Sequence, residues 1–237
     1  MKKKIKILQL IILIVILIAL ILVVTDLWPL MKNLSTKEGQ LEFKYEIDSL
    51  GIKGIFLLAG LQFIQIFLVI LPGEPLEILA GMCYGTWGGL LFITISVFIT
   101  TTIIVLLVKK FGKKFIYNFF NKEKIDKIEN SKLFKNPNKI EILICVLFFI
   151  PGTPKDLIIY LGGLLPINPL RFILISTFVR FPSVISSTIA GDSLSTGNWK
   201  MMIIVYGITF ILTAIVIFIV NKFDKNKTTK SAINILK

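Results

Sequence analysis

The sequence contains no histidine, only two cysteines and few charged residues. Cys83 and Cys145 lie in separate apolar runs, which excludes a disulfide framework, a CxxC redox centre and a Cys/His metal site. Without histidine there is no His-assisted serine or phosphatase centre either. We therefore predict no catalytic residue, no metal and no cofactor, and we expect that the protein is not an enzyme.

Charged residues make up only 17% of the 237 residues, whereas 55% are hydrophobic and the mean hydropathy is +0.84. A soluble domain of this length does not have such a composition, which predicts one integral membrane domain. In a soluble protein the net charge of +13 would suggest a nucleic-acid partner. Here nearly all the lysine lies in flanks and loops, so membrane topology explains the charge and no nucleic acid is expected.

The N-terminal region predicts a first membrane span. Several lysines precede an apolar run over residues 7–24, in which Gln9 is the one polar residue. This run is longer than the hydrophobic part of a usual signal peptide, and no small-x-small cleavage site follows it. We predict an uncleaved transmembrane helix with a cytoplasmic N-terminus, and residues 1–50 comprise this helix and a near-neutral outer loop.

Two Pro-Gly-x-Pro motifs interrupt apolar runs further along the chain. Each motif is followed two residues later by an acid, Glu77 in the first copy and Asp156 in the second. Broken helices in lipid leave backbone groups unpaired, which is tolerated only where they face protein or a wet cavity. A duplicated break is therefore typical of a transport site. The residues predicted to form the breaks are Pro72, Gly73, Pro75, Pro151, Gly152 and Pro154.

The lysine distribution predicts how the apolar segments cross the membrane. Residues 140–150 are too few to cross a core of about 30 Å at about 1.5 Å per residue, so they must enter and return. The basic residues 109–139 are expected in the cytoplasm. This is possible only if the segment around the first break also enters the membrane and returns to the same face. The predicted membrane domain, 51–220, comprises hairpin 1 at 52–87, a span at 88–108, a cytoplasmic segment at 109–139, hairpin 2 at 140–166, and spans at 169–190 and 201–220, before a basic cytoplasmic tail at 221–237.

These segments predict an all-α integral membrane protein. A re-entrant helical hairpin followed by a transmembrane helix occurs twice, and the two hairpins enter from opposite faces. The chain is thus an inverted repeat, with one further transmembrane helix at each end. Opposed hairpins that meet near the bilayer midplane are a common way to build an alternating-access site.

The long polar segment 109–139 contains ten lysines and three acids, interspersed with aromatic and aliphatic residues. This spacing predicts an amphipathic helix that lies on the inner membrane surface. A partner-binding or gating element is the alternative.

A few ionisable residues are expected at membrane depth, where a charge costs a few kcal/mol and is a functional candidate by default. The two acids after the breaks begin the returning half-helices, so they either cap those helices or bind and release protons in a poorly hydrated cavity. The candidate transport or substrate-binding residues are Glu74, Glu77, Lys155, Asp156, Arg171 and Arg180.

Arg180 lies about midway along the predicted span 169–190, too deep for its side chain to reach the membrane surface easily. It is expected to face an acid, Glu77 or Asp156, or the phosphate of a ligand. A purely structural ion pair is the alternative. Arg171 precedes it on the opposite side of an ideal helix and is expected to meet headgroups at the inner surface.

The order of these features resembles a known family. In chain order they are Pro72-Gly73-Glu74-Pro75, Glu77, Ala80-Gly81, a span, the basic block from Lys109 to Lys114, Pro151-Gly152-Thr153-Pro154, Asp156, Gly162-Gly163, and Arg180-Phe181-Pro182 with the later Gly191. This pattern resembles the DedA / VTT-domain superfamily, also called the SNARE-associated Golgi protein family. Tyr160-Leu161-Gly162-Gly163 and Arg180-Phe181-Pro182 are more similar to its TVP/TMEM branch.

The resemblance implies a lipid-handling role in which Glu77, Asp156 and Arg180 are the functional acid and base positions. The predicted function is a transporter that translocates or scrambles a phospholipid or lipid phosphate, such as undecaprenyl phosphate, across the plasma membrane, with proton coupling. Its partners would be membrane lipids, above all an anionic lipid phosphate, and protons, with a homo-oligomer as a further option. Both termini of this multi-pass protein would be cytoplasmic.

Two other functions remain open at the level of sequence. The intramembrane acids would also suit a proton/cation exchanger. A membrane-embedded hydrolase would need a Ser/Lys or paired-acid centre, for which Ser183, Ser186 and Ser187 are candidates, although three serines on a helix are more often packing residues.

Overall fold

The computed structural model describes residues 37–68, 73–130, 137–150 and 155–223. All regular structure in these ranges is helical, which confirms the predicted all-α fold class. The helices described are α1 Lys37–Ser49, α2 Ile52–Leu68, α3 Glu74–Phe111, α4 Lys113–Ile116, α5 Lys122–Glu129, α6 Pro137–Phe149, α7 Lys155–Gly162, α8 Pro169–Phe178, α9 Phe181–Ser195 and α10 Trp199–Phe223.

Three helical segments of the described residues are long and apolar enough to cross a membrane: Glu74–Phe111, Pro169–Ser195 and Trp199–Val216. The apolar parts of α2 and α6 are shorter. The chain is therefore a membrane protein, as predicted. The re-entrant paths of the two hairpins stay a prediction, because the tip of each hairpin lies mostly or wholly outside the described residues. The predicted first span also lies outside them, as does most of the basic tail.

Helix α3 joins two segments that the sequence analysis treats separately, the return of hairpin 1 and the span after it. The junction is a kink at Gly85, whose φ of 70° is strained for residues with a Cβ. Beyond the kink, Asp192 of α9 accepts hydrogen bonds from the Thr86 N–H (3.1 Å) and the Thr86 hydroxyl (2.7 Å). Asp192 lies within α9, although the predicted span ends at residue 190, and its side chain caps the point where α3 restarts after the kink.

Helices α3 and α9 approach each other closely through glycines. A Cβ added to Gly81 would lie 2.7 Å from the Thr188 Cα, and one added to Gly191 would lie 2.9 Å from the Ile78 carbonyl carbon. Small residues allow such backbone contact between membrane helices, where packing replaces the hydrophobic effect as the source of stability. This contact fixes the position of α9 against the start of α3.

The segment 109–139 is folded onto the protein over residues 109–130. Ile116 and Ile125, from α4 and α5, are almost fully buried. The rings that surround the buried Tyr160 of α7 are Phe67, Phe115, Phe119 and Phe120. The aromatic side chains of this segment contact α2 and α7, where ring packing stabilises them. Its position on the inner membrane surface stays a prediction.

Two polar contacts pin α4 and the turn after it to α5. Lys113 pairs with Glu129, and this hydrogen bond raises the pKa of Lys113. Tyr117 donates a hydrogen bond to Asp126 (2.5 Å), which raises the pKa of the phenol. Both contacts involve partly exposed side chains, whereas the apolar side chains of the segment pack toward Tyr160.

Helix α1 occupies part of the region predicted as an outer loop. Phe43 and Ile47 are one helical turn apart and are buried against α2 and α3, in a cluster that includes Leu58 and Leu79. The charged residues lie on the other side of α1, where Lys44 and Asp48 form an ion pair of 2.7 Å. Helix α1 is therefore amphipathic, although its mixed-charge sequence was predicted to form a loop.

We expect that Gly81→Ala destabilises the protein by about 1–3 kcal/mol, because the new methyl group overlaps the α9 backbone. Gly60→Ala in α2 is the matched control, since nothing lies within 4 Å of its added Cβ. Thermal unfolding in detergent, followed by tryptophan fluorescence, measures both. An equal melting temperature for the two variants would show that the α3–α9 contact is looser than described.

Candidate functional site

The start of α3 places Glu77 inside the protein. The N–H groups of Leu76 and Glu77 both donate to the Gly73 carbonyl at 3.1 Å, so the helix begins directly at the first motif, with Pro75 in its first turn. Glu77 is only 4% exposed, and its Oε2 has no hydrogen-bond partner in the part of the chain that is described. Glu74, one turn earlier, is half-buried.

The start of α7 supplies a cation and an acid. Lys155 is buried and donates to the hydroxyl of Ser183 on α9. Asp156, the next residue, accepts a 2.7 Å hydrogen bond from the side-chain amide of Gln65 on α2. The acid after the second motif therefore contacts the helix that leads into the first motif.

Two glutamines of α2 form a short chain toward Asp156. Gln62 donates to Gln65 at 3.3 Å, and both side chains are almost completely buried. Gly73 of the first motif lies beside this chain, because a Cβ added there would be 3.5 Å from the Gln65 Oε1. These glutamines are not among the site residues predicted from the sequence. Two amides inside an apolar run are the pattern by which they could have been found.

Arg180 lies at a break between α8 and α9. Pro182 is in the first turn of α9 and has no N–H for the Phe178 carbonyl, so the predicted single span is interrupted here. The Arg180 Nε donates to the Ser176 carbonyl at 2.8 Å, and its Cζ lies 5.1 Å from the centre of the Phe148 ring. A cation at the carboxyl end of α8 also suits the helix dipole.

Arg180 keeps an unused donor at this buried position. The residue is 3% exposed, and its Nη2 has no hydrogen-bond partner among the described residues. A buried guanidinium nitrogen without a partner is costly, and in native structures such a group is explained by a bound ion or water or by a functional role. The Nη2 atom is thus a donor available to a ligand.

The four groups interact electrostatically. Arg180 interacts with Asp156 and Glu77, and Lys155 interacts with Glu77, Arg180, Glu74 and Asp156. None of the ion pairs in the described ranges joins these groups directly. Two acids therefore lie near two cations without neutralising them by contact, which leaves both the Arg180 Nη2 and the Glu77 Oε2 open.

The structure brings together four of the six predicted site residues, with Glu74 at the edge of the cluster. Arg171 is separate: its Nε pairs with Glu141 of α6 at 2.7 Å, and its side chain is 67% exposed. Among the predicted break residues, Gly73 and Pro75 flank the start of α3. The others, Pro72, Pro151, Gly152 and Pro154, lie outside the described residues.

This arrangement can bind an anion or exchange protons. A guanidinium nitrogen and an ammonium group supply positive charge for an anion, and the carboxylates that lie close by can take up protons when a bound anion balances the cations. The groups come from α2, α3, α7 and the α8–α9 break, so both predicted hairpins and one of the spans contribute to a single site.

The comparisons with known proteins agree with the fold and with the motif pattern. A family model described as VTT domain matches residues 71–193, which is more than half of the chain. The match includes Glu77, Asp156 and Arg180, and it confirms the superfamily that the motifs resemble, while the TVP/TMEM branch stays a prediction. Searches of curated proteins and of solved structures returned no match. The protein therefore belongs to the VTT-domain family of membrane proteins.

Proposed function

We propose that this protein is a lipid transporter, which translocates or scrambles a phospholipid or lipid phosphate through the space where its two hairpins meet. The observation that carries the proposal is Arg180, a buried arginine whose Nη2 lacks a partner among the described residues, close to Glu77 and Asp156. Undecaprenyl phosphate is one lipid that fits this description. In this proposal the lipid is moved without making or breaking a bond, so the protein is a transporter and not an enzyme.

A phosphate group is the ligand chemistry that best matches the open donor. Arginine binds phosphate through paired N–H donors, and Lys155 adds a second positive charge from α7. The amino ends of α3 and α7 carry Glu77 and Asp156, which oppose an anion as long as both are ionised. Protonation of an acid would remove that repulsion, which supports coupling between lipid movement and protons.

The membrane context supports the same proposal. Three apolar helices of the described chain can cross the bilayer, and α10 presents mostly exposed apolar side chains, as expected of a helix that faces lipid. The lysine-rich segments support cytoplasmic termini, and we propose the plasma membrane as the location. The partners are membrane lipids and protons, with no nucleic acid, and a homo-oligomer is compatible with this site.

We expect that Arg180→Ala lowers the movement of a fluorescent lipid phosphate in proteoliposomes at least tenfold, because the buried donor is lost. Arg171→Ala is the matched control: it removes the same side chain from α8, where it pairs with Glu141 at an exposed position. Stopped-flow quenching of the outer-leaflet dye measures the rate.

Folding of each variant is checked by size-exclusion chromatography. Arg180→Lys, which keeps the charge but not the planar guanidinium, should be impaired as well. Wild-type rates in folded Arg180→Ala, or equal losses in both alanine variants, would contradict the proposed role of this site.

Proton coupling makes a separate prediction. Glu77→Gln removes the charge of a buried carboxylate while it preserves size, so we expect lipid movement that no longer responds to a pH gradient. The initial rate at equal pH on both sides, compared with the rate under an imposed gradient of two units, measures the coupling. A gradient response as large as that of the wild type would show that Glu77 does not carry the proton.

A proton/cation exchanger is the second candidate, favoured by the buried Glu77 carboxylate, whose Oε2 is unpaired in the described chain. Pyranine-loaded liposomes distinguish the two functions. Cation-dependent proton flux without lipid movement would favour exchange, whereas lipid movement with or without flux supports the transporter.

A further inference from the structure

Gln65 is directly linked to the charge state of the site. Its Nε2 donates to the Asp156 Oδ2 at 2.7 Å, and the Gln62 Nε2 donates to the Gln65 Oε1 at 3.3 Å. Because the oxygen of the Gln65 amide accepts from Gln62, the amide presents its nitrogen to Asp156. A donor in this position favours a carboxylate over a carboxylic acid.

The same hydrogen bond joins the two predicted hairpins. Gln65 lies on α2, which leads into the first motif, and Asp156 lies on α7, which follows the second motif. A second link lies one helical turn away, where the hydroxyl of Tyr160 donates to the Phe67 carbonyl. That second bond is between neutral groups, so of these two links it is the Gln65–Asp156 bond that changes with the protonation of Asp156.

We propose that Gln65 is a positioning residue that makes the contact between the two hairpins depend on the protonation of Asp156. When Asp156 is ionised, its charge-assisted bond to Gln65 holds α7 against α2. When Asp156 is protonated, this bond weakens, whereas the contact of Tyr160 with Phe67 does not change. This inference rests on the proposed transport function, and it gives a positioning role to an amide that precedes the region matched by the family model.

Other charged groups face Asp156 and set the background to this switch. Burial of Asp156 favours its neutral form most strongly. Arg180, from the α8–α9 break, and Lys155, on the same helix, favour the ionised form, whereas Glu77, from α3, opposes it. These groups act by charge at a distance. Gln65 differs because it contacts the carboxylate oxygen, so removing it changes the link between helices as well as the acid.

The pH profile of lipid movement separates this role from ordinary packing. We expect that Gln65→Leu, close in size to glutamine, shifts the pH at which movement is half-maximal upward by about one to two units, because a bond to the charged form is lost. Tyr160→Phe is the matched control: it removes the neutral link between the same helices and should change the rate alike at every pH. Gln62→Leu, which removes the hydrogen bond to the Gln65 Oε1, should shift the profile in the same direction by less.

A spectroscopic readout does not depend on transport. The infrared band of the protonated Asp156 carboxyl, identified by its loss in Asp156→Asn, should appear at higher pH in Gln65→Leu and at the wild-type pH in Tyr160→Phe. An unchanged band in folded Gln65→Leu overturns the role of Gln65. If the band shifts while the wild-type protein moves no lipid, the proposed function fails and the role of Gln65 stands.

Discussion

A hydrocarbon core without water requires every broken helix to find partners within the protein. Two of the candidate membrane-crossing segments of the described chain are interrupted, and a side chain forms a hydrogen bond at each interruption. Asp192 accepts from Thr86 where α3 restarts after Gly85, and Arg180 donates to the Ser176 carbonyl where α8 ends. The polar groups that characterise this protein thus lie where its helices are interrupted.

The glycine-mediated contact of α3 with α9 makes the site possible. Close approach of the two backbones at Gly81 and Gly191 brings the α8–α9 break near the amino end of α3. Arg180 can then interact with Glu77, although more than 100 residues separate them in the chain. Larger residues at the contact would separate the helices and leave a buried cation far from its counter-charges, which is a costly arrangement in lipid.

The charges of the site are balanced but not directly paired. Two cations and two acids share a buried volume, and the closest polar contacts of Lys155 and Asp156 are with Ser183 and Gln65, both uncharged. Neutral partners keep the charged groups in place while leaving them free to respond to an anion or a proton. A transporter of lipid phosphates requires this property, because cations that are already paired in salt bridges would bind a phosphate only weakly.

The sequence by itself determined the membrane class, the all-α fold and four of the residues that meet at the site, because hydropathy, lysine bias and buried charge are local signals. It also suggested the family, through motifs that stay recognisable along the chain. It did not identify Gln65 as the partner of Asp156, or Asp192 as the cap of Thr86, since these bonds join residues about 100 positions apart. Only the tertiary structure decided them, because hydrogen-bond partners depend on which helices pack together, and apolar helices of similar composition do not encode their neighbours locally.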